Sequence, residues 1–197
     1  MAITAKLVKE LRDRTAAGMM ECKRALTEAE GDIEAAIDLL RTRGAAKAAK
    51  RSDRSANEGT IGSYVHQGGR IAVIVELNCE TDFVAKNEEF LQLARDLAMH
   101  IAAARPLAVS ESDIPQDEVE REKAIYLEQV KAEGKPEAIW DKIVTGKLQK
   151  FFKENTLLGQ PFIKDSDQTV GELVTEASAR TGEKIEVARF ARLEVGG

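Results

Sequence analysis

Cysteine and histidine are scarce in this 197-residue sequence, which holds two of each: Cys22, Cys79, His66 and His100. Two cysteines build no disulfide framework, and these lack the C-x-x-C spacing of zinc or redox sites. Two histidines supply a soft-ligand metal centre poorly, so neither a metal site nor a cofactor is expected. Long apolar runs are also missing. No window approaches the length of a membrane span, and Met1-Ala2-Ile3-Thr4-Ala5-Lys6 carries no apolar signal segment. The expected address is a reducing cytoplasm or an equivalent organelle matrix, with no membrane partner. Positive charge is not in excess, because 34 acidic residues face 29 basic ones for a formal net charge of -5. A general nucleic-acid coat depends on positive charge meeting phosphates, so no direct nucleic-acid partner is expected. The signatures G-x-x-x-x-G-K-[ST], G-x-S-x-G, H-E-x-x-H and G-x-G-x-x-G do not occur. Most carboxylates fall on helix faces predicted to be solvated. An interaction protein is expected rather than an enzyme, with no catalytic residue.

What is present is enough apolar material, 43% of the residues, for real cores. Residues 4–44 read as three short helices. Leu7, Val8 and Leu11 line the first; Arg14-Thr15-Ala16-Ala17-Gly18 breaks the pattern; Met19, Met20, Cys22, Ala25, Leu26 and Ala29 resume it. Gly31-Asp32 supplies a turn and an N-cap before Ile33, Ala36, Ile37 and Leu40, and Gly44 is expected to end that helix. The bundle resembles a ubiquitin-associated type domain, in Gly18-Met19-Met20, Ala25-Leu26 and Gly31-Asp32-Ile33-Glu34-Ala35-Ala36-Ile37-Asp38-Leu39-Leu40. That resemblance implies an exposed apolar patch at the first loop and the end of the third helix. Ala45 to Arg54 reads as a basic helical connector and Ser52 to Gly59 as a boundary, dividing the chain into domains 1–54 and 55–197.

The second part begins with a hairpin, Thr60 to His66 and Ile71 to Leu77 about a Gly-rich turn. A helix from about Glu88 to Ala104 follows, with Phe90, Leu91, Ala94, Leu97, Ala98 and Ile101 on one face and His100 at the edge of that stripe. Two helices about Gly134-Lys135-Pro136 predict a helical hairpin at about 115–152. Leu157 to Phe162 reads as a packed apolar loop, and Thr169-Val170-Gly171-Glu172 as a capping box opening a helix closed by Gly182. Ile185 to Val195 largely alternates in period two and adds a third strand. The fold class is α+β: an N-terminal three-helix bundle, then a three-stranded antiparallel sheet with helices and a helical hairpin.

Everything after the bundle is organised around Asn78-Cys79-Glu80-Thr81-Asp82-Phe83-Val84-Ala85-Lys86-Asn87, between a strand and a helix that Asn87, Glu88 and Glu89 would cap. From the residues alone two readings of Asp82 and Phe83 stand. Phe83 tucks under the strand end while Asp82 caps turn amides, or the pair is a probe, an apolar wedge beside a charge. Met19 and Met20 are equally open: adjacent residues cannot both face one helical core, and one of them either covers a small core or serves a binding surface.

Together the bundle and the loop resemble the elongation factor Ts family of bacteria and organelles. The carrying residues are Leu7-Val8-Lys9-Glu10-Leu11-Arg12, Thr15, Gly18-Met19-Met20, Cys22-Lys23, Ala25-Leu26, Asn78 to Lys86, and Gly159-Gln160-Pro161-Phe162. The resemblance implies a guanine-nucleotide exchange factor that binds elongation factor Tu in its GDP-bound and nucleotide-free states. It implies that Thr81, Asp82, Phe83 and Val84 enter the nucleotide domain and displace its magnesium ion, so that GDP leaves and GTP can rebind. It implies that Arg12, Met19 and Met20 grip a helix of the same domain. This chain is similar to the short forms with one sheet, in which two chains pair, so a homodimer is expected. The rival readings are a ubiquitin-associated type adaptor without exchange activity, and a small enzyme using Asp82 with Glu80.

Overall fold

The computed structural model describes residues 3–15 and 17–196. Ala16, expected in the break between the first two helices, and Met1 and Ala2, at the start of the segment without an apolar signal, lie outside the described residues. In chain order the helices are α1 (Ala5–Thr15), α2 (Met19–Glu28), α3 (Ile33–Ala49), α4 (Asp82–Ala85), α5 (Glu88–Ala104), α6 (Gln116–Ala132), α7 (Trp140–Asn155) and α8 (Val170–Thr181). The strands are β1 (Glu58–Val65), β2 (Ile71–Cys79), β3 (Pro161–Phe162), β4 (Asp165–Thr169) and β5 (Glu186–Glu194). The backbone forms two compact units, one of Met1–Thr60, Leu77–Leu91 and Leu173–Glu186, the other of Ile61–Glu76, Gln92–Glu172 and Val187–Gly197. The class is α+β, as the patterning predicts.

In the first unit the helical spacing of apolar side chains builds the bundle core. Val8 and Leu11 of α1, Cys22, Ala25 and Leu26 of α2 and Ala36 of α3 are buried together, with Leu7, Ile33, Ile37 and Leu40 packed around them. Asp32 caps α3 by accepting the Ala35 N–H at 3.0 Å. The expectation that Gly44 ends this helix is corrected, since α3 runs on to Ala49. Ala45, Ala46, Ala48 and Ala49 favour helix strongly. Gly44 serves packing instead, because a Cβ there would stand 3.1 Å from the Ala179 Cβ on α8. Its missing side chain permits a close approach and does not stop the helix.

In the second unit residues 61–65 of β1 and 71–76 of β2 form the body of the predicted hairpin, closed by His66 N–H donating to the Ile71 carbonyl at 2.9 Å. The antiparallel sheet has the order β1-β2-β5. Side chains alternate across it: Val73 and Val75 are buried while Ile74 between them is exposed. On β1, Gly62 is buried against α5, where a Cβ would fall 2.3 Å from the Ala94 carbonyl oxygen. Ile61 and Val65, of opposite parity, are exposed, as is Leu193 on β5. Glu76 and Arg189 meet at 2.7 Å on that same outward face.

Helices α6 and α7 pack as a hairpin, burying Val130 and Val144 between exposed charges. At its tip the Trp140 indole donates to the Lys135 carbonyl at 2.7 Å. Thr169 and Glu172 make the predicted capping box of α8, the Thr169 N–H donating to Glu172 Oε2 at 2.7 Å and the Glu172 N–H to Thr169 Oγ1 at 3.1 Å. The sequence does not announce β3 and β4, which pair Pro161 with Thr169 and Phe162 with Asp165. A two-residue strand facing a polar one has no period to detect.

His100 is fully buried. The Ile163 N–H donates to its Nδ1 at 3.3 Å, so Nε2 carries the proton and donates to Gln160 Oε1 at 3.0 Å. Burial pushes its pKa below the ordinary value, against a smaller upward push from Gln160. The folded protein therefore takes up a second imidazole proton, at Nδ1, less readily than the unfolded chain. The contribution to stability is complete above about pH 6.5 and declines as pH falls below it. Thermal melts of the wild type and His100→Gln across that range should show the steeper acid loss in the wild type; parallel curves would refute the assignment.

Candidate functional site

Strand β2 ends at Cys79, whose buried thiol donates to the Thr81 carbonyl at 3.2 Å. Burial pushes this thiol above its usual pKa, away from thiolate chemistry. The chain then forms the single turn α4, a helix where the sequence suggested only a connection. Thr81 is its N-cap, in extended backbone, accepting the Val84 N–H at 3.5 Å, a long bond. Asn87 begins α5 as predicted, its Oδ1 accepting the Glu89 N–H at 2.8 Å. Two capped helix starts thus lie six residues apart along one stretch, which sets the side chains of 82–85.

Ala85 turns inward and is buried, while Phe83 turns outward and is 83% exposed. The ring is therefore not tucked under the strand end. Asp82 is half-exposed and paired with Lys86, Oδ2 to Nζ 2.6 Å, an i, i+4 contact on one helix face. The hydrogen bond from Lys86 holds the Asp82 carboxyl below the usual carboxylate range, and the same bond pushes the Lys86 ammonium up.

Two further carboxylates fasten the approach to the turn: Glu80, expected only as a rival partner of Asp82, and Glu183, not singled out from the sequence. Glu183 Oε2 accepts the N–H groups of both Glu80 and Thr81, each at 3.0 Å, and its Oε1 accepts the Thr81 hydroxyl at 2.6 Å. Glu80 in return accepts the Lys184 N–H and pairs with Arg54 at 3.2 Å. Its carboxyl is lowered first by the Lys184 N–H and then by Arg54. Glu80 is thus engaged in holding backbone, which leaves it unsuited to pairing with Asp82 in acid-base work. Neither partner is read from the sequence alone: the four-residue spacing of Asp82 and Lys86 becomes a signal only once 82–85 is a helix, and Glu183 lies 102 residues from Thr81.

Arg12, Met19 and Met20 form a second group, in the bundle. Arg12 is exposed in the last turn of α1, and Met19 and Met20 open α2 at 46% and 65% exposure. Neither methionine is core. Among the described residues no three His, Cys, Asp or Glu side chains converge as a metal site, and no helix is long and apolar enough to cross a membrane.

Together these features define an α+β protein that holds an aromatic side chain out to solvent on a capped turn. Comparison with known proteins names the family. The elongation factor Ts family model matches residues 1–197. The chain is 58% identical over 196 residues to elongation factor Ts of Desulfotalea psychrophila, covering 100% of both chains. It is 59% identical to that of Syntrophomonas wolfei, over 98% of this chain and 91% of the relative, and 57% identical to that of Thermosipho melanesiensis, over 98% and 99%. The chain belongs to the elongation factor Ts family.

The Asp82–Lys86 contact has a direct test. In Lys86→Gln, Asp82 should titrate at higher pH than in the wild type, read by NMR of its carboxyl carbon. An unchanged midpoint would mean that the ion pair does not form in solution.

Proposed function

We propose that this chain is a guanine-nucleotide exchange factor: it binds elongation factor Tu carrying GDP, promotes GDP release by displacing the magnesium ion, and leaves the partner free to take up GTP. The observation that carries this reading is Phe83, an aromatic ring exposed on a turn that the fold holds in place, with a carboxylate beside it. Phe83 enters an apolar gap of the partner. Asp82, with Thr81 and Val84 shaping the turn, disturbs the coordination and hydration of a magnesium ion that neutralises the nucleotide phosphates. Once that charge is removed, the diphosphate is held less well. Weakening is mutual, so GDP weakens binding of the factor by the same ratio.

The turn is insufficient alone. Moving a two-state equilibrium from about 1:99 to 99:1 takes roughly 5.5 kcal/mol, whereas burying one Phe side chain contributes about 1.5 to 3 kcal/mol. Arg12, Met19 and Met20 supply a second grip, from a ubiquitin-associated-like domain of residues 1–54, and the core domain of 55–197 supplies the turn. The factor works in the cytoplasm and needs no nucleic acid, in keeping with its net charge of -5.

A second copy of the chain completes the short form. The outward face of the sheet carries Ile61, Val65, Ile74 and Leu193 exposed, which supports pairing of two such faces in a homodimer. Sedimentation of the wild type at micromolar concentration should give a dimer and Ile74→Glu a monomer; a wild-type monomer would remove this part of the proposal.

Release of a fluorescent GDP from elongation factor Tu, with magnesium present, tests the exchange reading. Wild type should accelerate release and Phe83→Ala should lower that acceleration about tenfold to a hundredfold, with binding still detectable because the bundle remains. Complete loss of binding by a folded Phe83→Ala would contradict the division of labour. No acceleration by wild type would sink the exchange reading, and affinity for ubiquitin would then favour an adaptor.

A further inference from the structure

We infer that Glu183 is the positioning residue of the exchange turn, a carboxylate that holds Glu80 and Thr81 so that α4 presents Asp82 and Phe83 in one orientation. The inference rests on the exchange reading above and names how this chain prepares that site.

A helix of four residues, Asp82–Ala85, is far too short to hold itself, since nucleation alone is unfavourable. Its orientation has to be imposed at its ends. Glu183 does this at the N-terminal end with both oxygens, taking the Glu80 and Thr81 N–H groups at 3.0 Å each and the Thr81 hydroxyl at 2.6 Å. The hydroxyl bond matters most, because Thr81 is the N-cap. With its proton directed to Glu183, the oxygen keeps a lone pair toward the Val84 N–H, and the Thr81 rotamer is set.

The hold is reciprocal. Glu80 accepts the Lys184 N–H, so each of the two segments, 80–81 and 183–184, lends a carboxylate to the other's backbone. Glu183 is itself braced: its N–H donates to Thr181 Oγ1 at 3.3 Å and its carbonyl accepts the hydroxyl of buried Ser178 at 2.5 Å. Arg51 in turn donates to the Ser178 carbonyl at 3.2 Å. The bonds accepted by the Glu183 and Glu80 carboxylates are charge-assisted, the stronger class. They order the turn during folding, so a partner meets it already formed and its binding does not bear the cost of ordering it. An unclamped turn would be competent only part of the time, which raises the apparent dissociation constant by the inverse of that fraction while leaving the docked complex unchanged.

The test uses the full chain, fluorescent GDP on elongation factor Tu with magnesium, and the wild type in every series. Glu183→Ala and Glu183→Gln should raise the half-saturating concentration about tenfold while keeping the maximal release rate within about twofold; Phe83→Ala instead lowers the maximal rate. Gln is included because it keeps the shape but points an amide toward donors. Thr81→Val, which loses the hydroxyl's bond to Glu183 together with its cap of the Val84 N–H, should also raise the half-saturating concentration, Thr81→Ser should restore the wild-type value, and the rise caused by Thr81→Val should be smaller in the Glu183→Ala background than in the wild type. Without any partner, hydrogen exchange at the Glu80 and Thr81 amides should quicken in Glu183→Ala while the bundle amides stay protected. Unchanged protection at those two amides, or a wild-type half-saturating concentration in folded Glu183 variants, overturns the clamp whatever the exchange activity. A wild type that fails to accelerate release removes the exchange reading and the clamp's purpose with it. If Glu183→Ala does not fold, Glu183→Gln decides by the same two readouts, and wild-type half-saturation or unchanged protection of the Glu80 and Thr81 amides in it overturns the inference.

Discussion

A strand that ends leaves backbone N–H groups beyond its ladder without partners, and the local structure around the exposed turn depends on how this chain answers that need. At Glu80 and Thr81 the answer is a carboxylate from a distant segment, Glu183. Backbone donors that must be satisfied and an acceptor with two oxygens produce a rigid shoulder. From it a single helical turn can project without a core of its own, with buried Ala85 as the inward anchor and Phe83 as the outward ring.

Exposing a phenylalanine opposes the hydrophobic effect, and stability alone gives no reason to keep it there. In the proposed exchange reaction the same exposure is the stored driving force, since the ring's burial occurs only in the partner. Asp82 is managed in a similar way. Its charge is partnered by Lys86 in the free protein, an exposed contact that screening keeps weak enough to give up. The turn is therefore firm in its backbone and loose in its charge, a combination that suits the proposed entry into a charged nucleotide site.

The bundle and the turn share one compact unit, and small residues allow it. Gly44 lets α3 continue beside Ala179, and the extended helix brings Arg51 and Arg54 to Ser178 and Glu80. A helix stopped at Gly44 would have left those two cations on a tether. The basic run that reads in isolation as a soluble connector is in part structural, tied to α8 and to the base of the turn.

Much of this was legible because it is local. Helical spacing of Val8, Leu11, Leu26 and Ala36, the Asp32 and Asn87 caps, the Thr169–Glu172 box and the β1–β2 hairpin each depend on residues within a few positions, and each took the expected form. The motifs around Met19–Met20 and Thr81–Val84 likewise carried the family resemblance. What the sequence could not decide is whatever depends on residues far apart in the chain. Gly44 carries a stop signal locally, and only the neighbouring Ala179 makes it a contact; Phe83 is equally compatible with burial or exposure until the inward face is taken by Ala85. Glu183 looks like one more solvated carboxylate until folding closes a loop of about a hundred residues and brings it to the end of β2. Periodicity and capping are written in neighbours, whereas a clamp is written only in three dimensions.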